Sequence, residues 1–201
     1  MSLHIAHHIR ISASGIRKDG SSLCPAESRE AGPEEWYRRF GMAYPRFFKM
    51  DDLCKWAWAG AECLLKGESG FISEGVAGER TAIVLFTKSG CLQADRRYAE
   101  TLSSVPSPAL FVYTLSNIML GEIAIRHGFK GEQLCMVQDR FDSGELQFWV
   151  EDLLLNKGME ACLCGWVDIT GGKPDLCLFW VSRDGNGEKF SRAAMDACYG
   201  I

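Results

Sequence analysis

SPALFVYTLSNIMLGEIAIRHGFKG, residues 107–131, decides how the chain is read. It opens on proline and aromatic residues, becomes mostly apolar from Asn117 to His127, and closes on Gly128, Lys130 and Gly131. Pro106 and Pro108 break the backbone ahead of it. Ser116 stands where a helix N-cap is wanted and Gly128 where a left-handed C-cap is wanted, so a helix is expected between them. Gln133 to Gln138 reads as a short strand after it. A helix feeding a strand in this way is the repeating unit of a layered α/β fold.

The same alternation extends in both directions. Upstream, Thr81 to Thr87 is a continuous β-prone run of the kind buried on both faces of a sheet. Before it lies a glycine-rich loop, Gly67 to Gly78, with no Lys-Ser/Thr ending to make it a phosphate loop. Asp51 to Lys66 predicts a strong helix, because Leu53, Trp56, Ala57, Gly60, Ala61 and Leu64 recur at helical spacing and Gly67 can cap it. Leu3, Ile5, Ile9 and Ile11 share one alternation phase and suggest a first strand. Gly15 to Gly32 reads as a loop, and Glu34 to Phe40 as a short helix behind Pro33. Leu92 to Leu102 is polar but helix-compatible.

Downstream, Asp142 and Glu145 have capping-box spacing. Leu146, Trp149, Val150 and Leu153 then form one helical stripe that Gly158 can close. Ala161 to Ile169 and Leu176 to Ser182 are apolar β-runs joined through Gly171, Gly172 and Pro174, which suits a hairpin. Ser191 to Cys198 predicts a last helix. The sum is an α/β fold: a mixed five-stranded sheet with helices on both faces and an antiparallel hairpin at its edge, in one domain over residues 1–201.

Composition narrows the function. The chain has 201 residues, 47% of them hydrophobic, 24% charged, and a formal net charge of -4. That balance argues against a general nucleic-acid binder. No stretch is apolar enough to span a bilayer, and residues 1–14 lack the uninterrupted apolar core of a secretory signal. The nine cysteines contain no Cys-x-x-Cys pair and read as small buried hydrophobes in a reducing cytoplasm. His4 and His8 would share one strand face and His7 the other, so without a bulge they make no metal site. His127 follows Arg126 at a helix end, where a cation is favourable.

Residues 107–131 resemble a segment of the β-ketoacyl synthase family, in which a proline- and aromatic-rich run leads to Leu-Pro-Asn, a helix, Ala-Ile-Arg-Tyr-Gly and Lys-Gly-Pro. Ser116 stands for the first proline, His127 for the tyrosine and Glu132 for the last proline. Arg46 to Asp51 with its helix is similar to the family's Arg-Met-Asp helix. Gly158 to Ile169, with Gly165 and Asp168, is similar to the strand after the active-site helix. The likeness covers about Phe47 to Ile169. It implies the first half of a thiolase-like fold, and the chain stops where the family's second half would begin.

The resemblance also implies a defect. The family's nucleophile is a cysteine at the start of the helix after Gln133 to Gln138, and two histidines from the second half assist it. Counting from Lys130-Gly131, or back from Gly158, puts that position at Arg140; a slip of one or two residues gives Asp139 or Gln138. None is a cysteine. Chain-length factors, which resemble the synthases, carry Gln there. Cys135 is the nearest thiol, and Cys91 a further one. Arg140, a cation at a helix N-terminus, should be paired, with Asp139 and Asp142 nearest. It would plug a former acyl site, reach across an interface, or simply be solvated.

The expectation is therefore a non-catalytic partner of a full-length ketosynthase, similar to a chain-length factor, in fatty-acid or polyene-type polyketide synthesis. The resemblance implies no cofactor and no metal. It places a dimer edge at Gln133, Leu134, Cys135, Met136, Val137 and Gln138, and docking of an acyl carrier protein at Arg46, Lys49, Arg96, Arg97 and Lys130. Two alternatives stay open. One is a 3-oxoacyl synthase or acyltransferase using Cys135 or Cys91; the other is an acyl-binding homodimeric relic.

Overall fold

The computed structural model describes residues 2–23, 32–68, 70–183 and 187–201. Its organising element is the hairpin of β6 (Ala161–Thr170) and β7 (Lys173–Ser182). Gly171 and Gly172 both have positive φ, +58° and +78°, which is what a two-residue turn matched to strand twist requires. The register runs from Ala161 opposite Ser182 to Thr170 opposite Lys173.

This hairpin lies in the middle of the sheet, not at its edge as expected. On one side β7 pairs antiparallel with β1 (His4–Ser12); on the other β6 pairs parallel with β4 (Thr81–Thr87). Both hairpin strands are almost wholly buried, so an edge position would have exposed their apolar faces to water. Among the described residues β5 (Gln133–Val137) pairs parallel with β4 alone and ends the sheet on this side. The five long strands run β1-β7-β6-β4-β5.

Three short strands make the sheet eight-stranded instead of five-stranded. β2 (Gly15–Lys18) and β3 (Ser21–Ser22) extend it beyond β1, and β8 (Glu188–Lys189) pairs with the start of β1. The stretch read as a loop from Gly15 thus contains two strands; residues 24–31 of it lie outside the described residues. The missed signal is Asp19-Gly20, whose φ values of +51° and +78° make a tight turn between β2 and β3. The flanking residues are polar because this end of the sheet faces solvent.

β1 departs from simple alternation. Its register with β7 shifts between Ile5 and His7. Leu3 and Ile5 therefore pack on one face of the sheet and Ile9 and Ile11 on the other, although all four share a sequence phase.

Helices cover both faces. On the first lie α1 (Pro33–Arg39), α2 (Asp52–Leu65) and α5 (Ile118–His127), packed on Ile83, Leu85, Leu163 and Leu178. α2 is buried nearly all round. A Cβ at Gly60 would stand 3.2 Å from both Leu176 and Leu178, so the glycine sets how closely α2 approaches β7. On the second face α6 (Ser143–Glu151) and α7 (Arg192–Tyr199) cover Ala82, Val84, Phe86, Cys164 and Phe179. α3 (Leu92–Thr101) and the short α4 (Pro108–Phe111) connect β4 to α5.

The caps differ in part from expectation. Gly128 (φ +71°) closes α5, Asp51 accepts from the Cys54 N–H at the start of α2, and Ser191 caps α7. Gly67 does not cap α2, whose last turn ends on Lys66 in an extended conformation. Asn117, without a side-chain bond, holds the cap position of α5, and the Ser116 hydroxyl turns instead to the Cys91 sulfur, 3.6 Å away. Among the described residues no single helix is long and apolar enough to cross a membrane.

Candidate functional site

The site lies where β5 gives way to α6. β4 guides β5 along its whole length, and the Gln138 N–H still reaches the Thr87 carbonyl at 2.8 Å. The chain then turns through Asp139, Arg140 and Phe141. Phe141 is buried and stacks on Tyr199 of α7 at 4.6 Å. Asp142 begins α6 by accepting the N–H groups of Gly144 and Glu145, both at 2.9 Å. The reciprocal half of a capping box is absent, because Glu145 takes another partner.

That partner separates the three positions read as the lost nucleophile. Gln138 is half-buried; its Nε2 donates to Glu145 Oε2 at 2.5 Å, and its Oε1 is buried with no hydrogen-bond partner among the described residues. Asp139 and Arg140 are exposed. Arg140 forms neither of the expected ion pairs; Asp142 Oδ1 accepts the two N–H groups at the helix start. An amide side chain at the turn offers a donor and an acceptor, and no nucleophile.

The thiols nearby are both raised. Burial pushes the Cys135 thiol up to about 11, in β5 and a turn away from the α6 N-terminus. Burial also raises Cys91, whose sulfur donates to the Thr114 carbonyl at 3.0 Å and to the Asp95 carboxylate at 3.4 Å. A nucleophilic thiol needs the opposite shift.

Behind the turn, the C-terminal ends of β4 and β6 are tied by Asp168, which is 1% exposed. It accepts from the Ser89 N–H at 2.8 Å and from the Thr87 and Thr170 hydroxyls at 3.2 and 3.3 Å. The Thr87 hydroxyl in turn accepts the Gly90 N–H at 3.1 Å. This carboxylate is saturated, and it holds the Thr87–Gly90 loop against β6. Nothing in the spacing of Asp168 marked that role. Gly165, on the same strand, has φ +146°, and a Cβ there would lie 2.0 Å from the Cys177 carbonyl oxygen.

The five basic residues read as a docking patch do not all converge. Arg46 pairs with buried Glu122 at 3.2 Å, which also accepts from the Tyr44 hydroxyl. Lys49 and Arg97 line a hollow of about 140 Å³ with Asp51 and Tyr113. Arg96 lines an adjoining one of about 320 Å³ with Asp51, Ser89, Gly90 and the Gly171-Gly172 turn. Burial raises Asp51 to about 6 between them. Lys130 stands apart, at the opposite end of β4 and β5, paired with Glu79 at 3.0 Å.

The histidines also differ from expectation. His127 is no helix-end cation: its ring is buried between Phe71 and Phe129, and burial depresses it to about 4. Arg126 takes the charged contact, gripping Glu62 through two nitrogens at 2.9 and 2.6 Å. Beside that pair lies a cavity of about 980 Å³, walled by Phe40, Met42, Phe71 and Lys18 among others. The β1 bulge turns His7 and His8 towards Asp19, with ring nitrogens 2.7 and 3.6 Å from its carboxylate.

No protein-family model matches the chain, and no curated protein does. Solved structures do match. The ishigamide ketosynthase/chain length factor aligns over 94% of this chain and 64% of its own, at 16% identity and a TM-score of 0.67. A ketosynthase in complex with its chain length factor, from Xenorhabdus doucetiae, aligns over 100% of this chain and 91% of that one, at 13% identity and 0.58. A β-ketoacyl synthase from Burkholderia phymatum aligns over 90% and 59%, at 12% identity and 0.61. The chain has the ketosynthase and chain-length-factor fold, and spans about three fifths of the length of the first and third of these.

Proposed function

We propose that the chain is a non-catalytic, chain-length-factor-like partner of a ketosynthase in fatty-acid or polyene-type polyketide synthesis. One observation carries the reading: among the described residues the sheet ends at one side in β5, paired with β4 alone, and that strand runs into the turn Gln138-Asp139-Arg140, which holds no cysteine where the resemblance implies the catalytic one. A free edge is a row of unsatisfied N–H and C=O groups suited to pairing with another chain. Val137 at its end is 63% exposed, and Phe111, Val112 and Leu115 expose further apolar surface on the segment leading to α5. Two of the similar structures are, by their names, ketosynthases with chain length factors. The alignment covers 91% of a chain in the Xenorhabdus complex, which supports a place in such an assembly.

In this reading Arg46, Lys49, Arg96 and Arg97 remain the surface offered to an acyl carrier protein, without Lys130. The eight described cysteines form no disulfide among themselves, which suits work in the cytoplasm. The alternative of an acyltransferase at Cys135 or Cys91 is disfavoured by the upward shift of both thiols. Co-expression with the ketosynthase encoded nearest to this chain, followed by size exclusion, tests the proposal. A one-to-one complex is expected. Migration of this chain solely as a homo-oligomer points to the relic reading instead.

A further inference from the structure

We infer that the cavity beside Arg126 and Glu62 is a binding site for a small neutral molecule with a flat apolar body and one hydroxyl group, whose proton the Nε2 atom of His7 accepts. The site belongs to the β1–β2 side of the sheet, far from β5, and is independent of the proposed partnership. Its volume of about 980 Å³ lies within the range of small-molecule sites. Phe40, Met42, Phe71 and Ile72 supply apolar wall. Trp36 stacks on Phe40 at 5.4 Å and His127 meets Phe71 edge-on at 5.0 Å, so both rings are held in place by their neighbours. Rings fixed in this way suit a flat apolar body, which can stack on them or meet them edge-on.

The charges around the cavity are largely engaged within the chain. Arg126 grips Glu62 at 2.9 and 2.6 Å. Lys18 Nζ donates to the Cys63 and Lys66 carbonyls at 3.1 and 2.8 Å. Lys66 and Glu68 are exposed and opposite in sign, so the wall selects for no net charge. His7 is different. The register shift in β1 places Ile5 in the core of one face and brings His7 opposite Trp180, in the core of the other. Asp19 Oδ1 accepts the His8 N–H at 2.8 Å, and its Oδ2 lies 2.7 Å from His7 Nδ1. A carboxylate can only accept, so Nδ1 carries the proton and the neutral ring presents Nε2 as an acceptor. Nε2 has no hydrogen-bond partner among the described residues. A ligand hydroxyl supplies the donor that this atom lacks, while the apolar walls take the rest of the molecule.

The test is isothermal titration calorimetry of the full chain with 1-naphthol and with 1-methoxynaphthalene, which keeps the flat body and lacks the donor. 1-Naphthol should bind one to one and about fivefold more tightly than its ether, the scale of one neutral hydrogen bond. His7→Phe should bring the two ligands to within about twofold of each other, because the acceptor is gone. Ala43→Trp, at an exposed position on the cavity wall, should weaken both about tenfold or more by filling the space, with circular dichroism unchanged. Equal affinity of the natural chain for the two ligands overturns the His7 contact. Binding undiminished by Ala43→Trp places the ligand elsewhere and overturns the site, as does a natural chain that binds neither compound.

Discussion

Single residues carry the sharpest consequences. Asp168 holds two strands and a loop through one buried carboxylate, and Asp168→Ala leaves the Ser89 N–H and the Thr87 hydroxyl without their acceptor. Losses of that kind cost about 1–3 kcal/mol per stranded group, so urea denaturation should show a clear fall in stability. Gly165→Ala should be worse tolerated still, since its Cβ would overlap the Cys177 carbonyl. Cys135 makes a chemical prediction. With its thiol raised to about 11, it stays protonated at neutral pH, and alkylation by iodoacetamide should accelerate only as the pH approaches 11. Rapid modification at pH 7 in the folded chain contradicts the site as described. Asp51, raised to about 6 by burial, binds its proton more tightly folded than unfolded. Its contribution is full below about pH 4 and is lost as the pH rises through 6, so Asp51→Asn should flatten the stability profile across that window.

At the scale of elements, the helices and buried strands were legible in the sequence, and the sheet's order was not. α2 follows from its apolar spacing, and β4 from an unbroken β-prone run, because their own side chains do the packing. The position of the β6–β7 hairpin depends on which strands β1 and β4 select as neighbours, and no local pattern encodes that. β2 and β3 escaped because they are short and polar, and only Asp19-Gly20 betrayed them. The site divided in the same way. That none of Gln138, Asp139 and Arg140 is a cysteine could be read directly; that Gln138 is half-buried and bonded to Glu145 while Arg140 is exposed follows from the path of β5. The element-level prediction concerns β5. Val137→Lys should leave the exposed edge folded, since Val137 has open surroundings, while blocking strand addition. Unchanged far-ultraviolet circular dichroism with loss of ketosynthase binding is the expected pair of results.

At the scale of the molecule, one face of the sheet is covered by α1, α2 and α5 and the other by α6 and α7, which leaves pairing incomplete, among the described residues, at its two edges, β5 and the short polar β3. In the proposed assembly the β5 end docks on a ketosynthase which does the chemistry alone. Native mass spectrometry of the co-expressed pair, after incubation with acyl-loaded carrier protein, tests it most directly. A one-to-one complex is expected, with the acyl mass on the ketosynthase subunit and never on this chain. An acyl adduct on this chain, lost on Cys135→Ala, would contradict it.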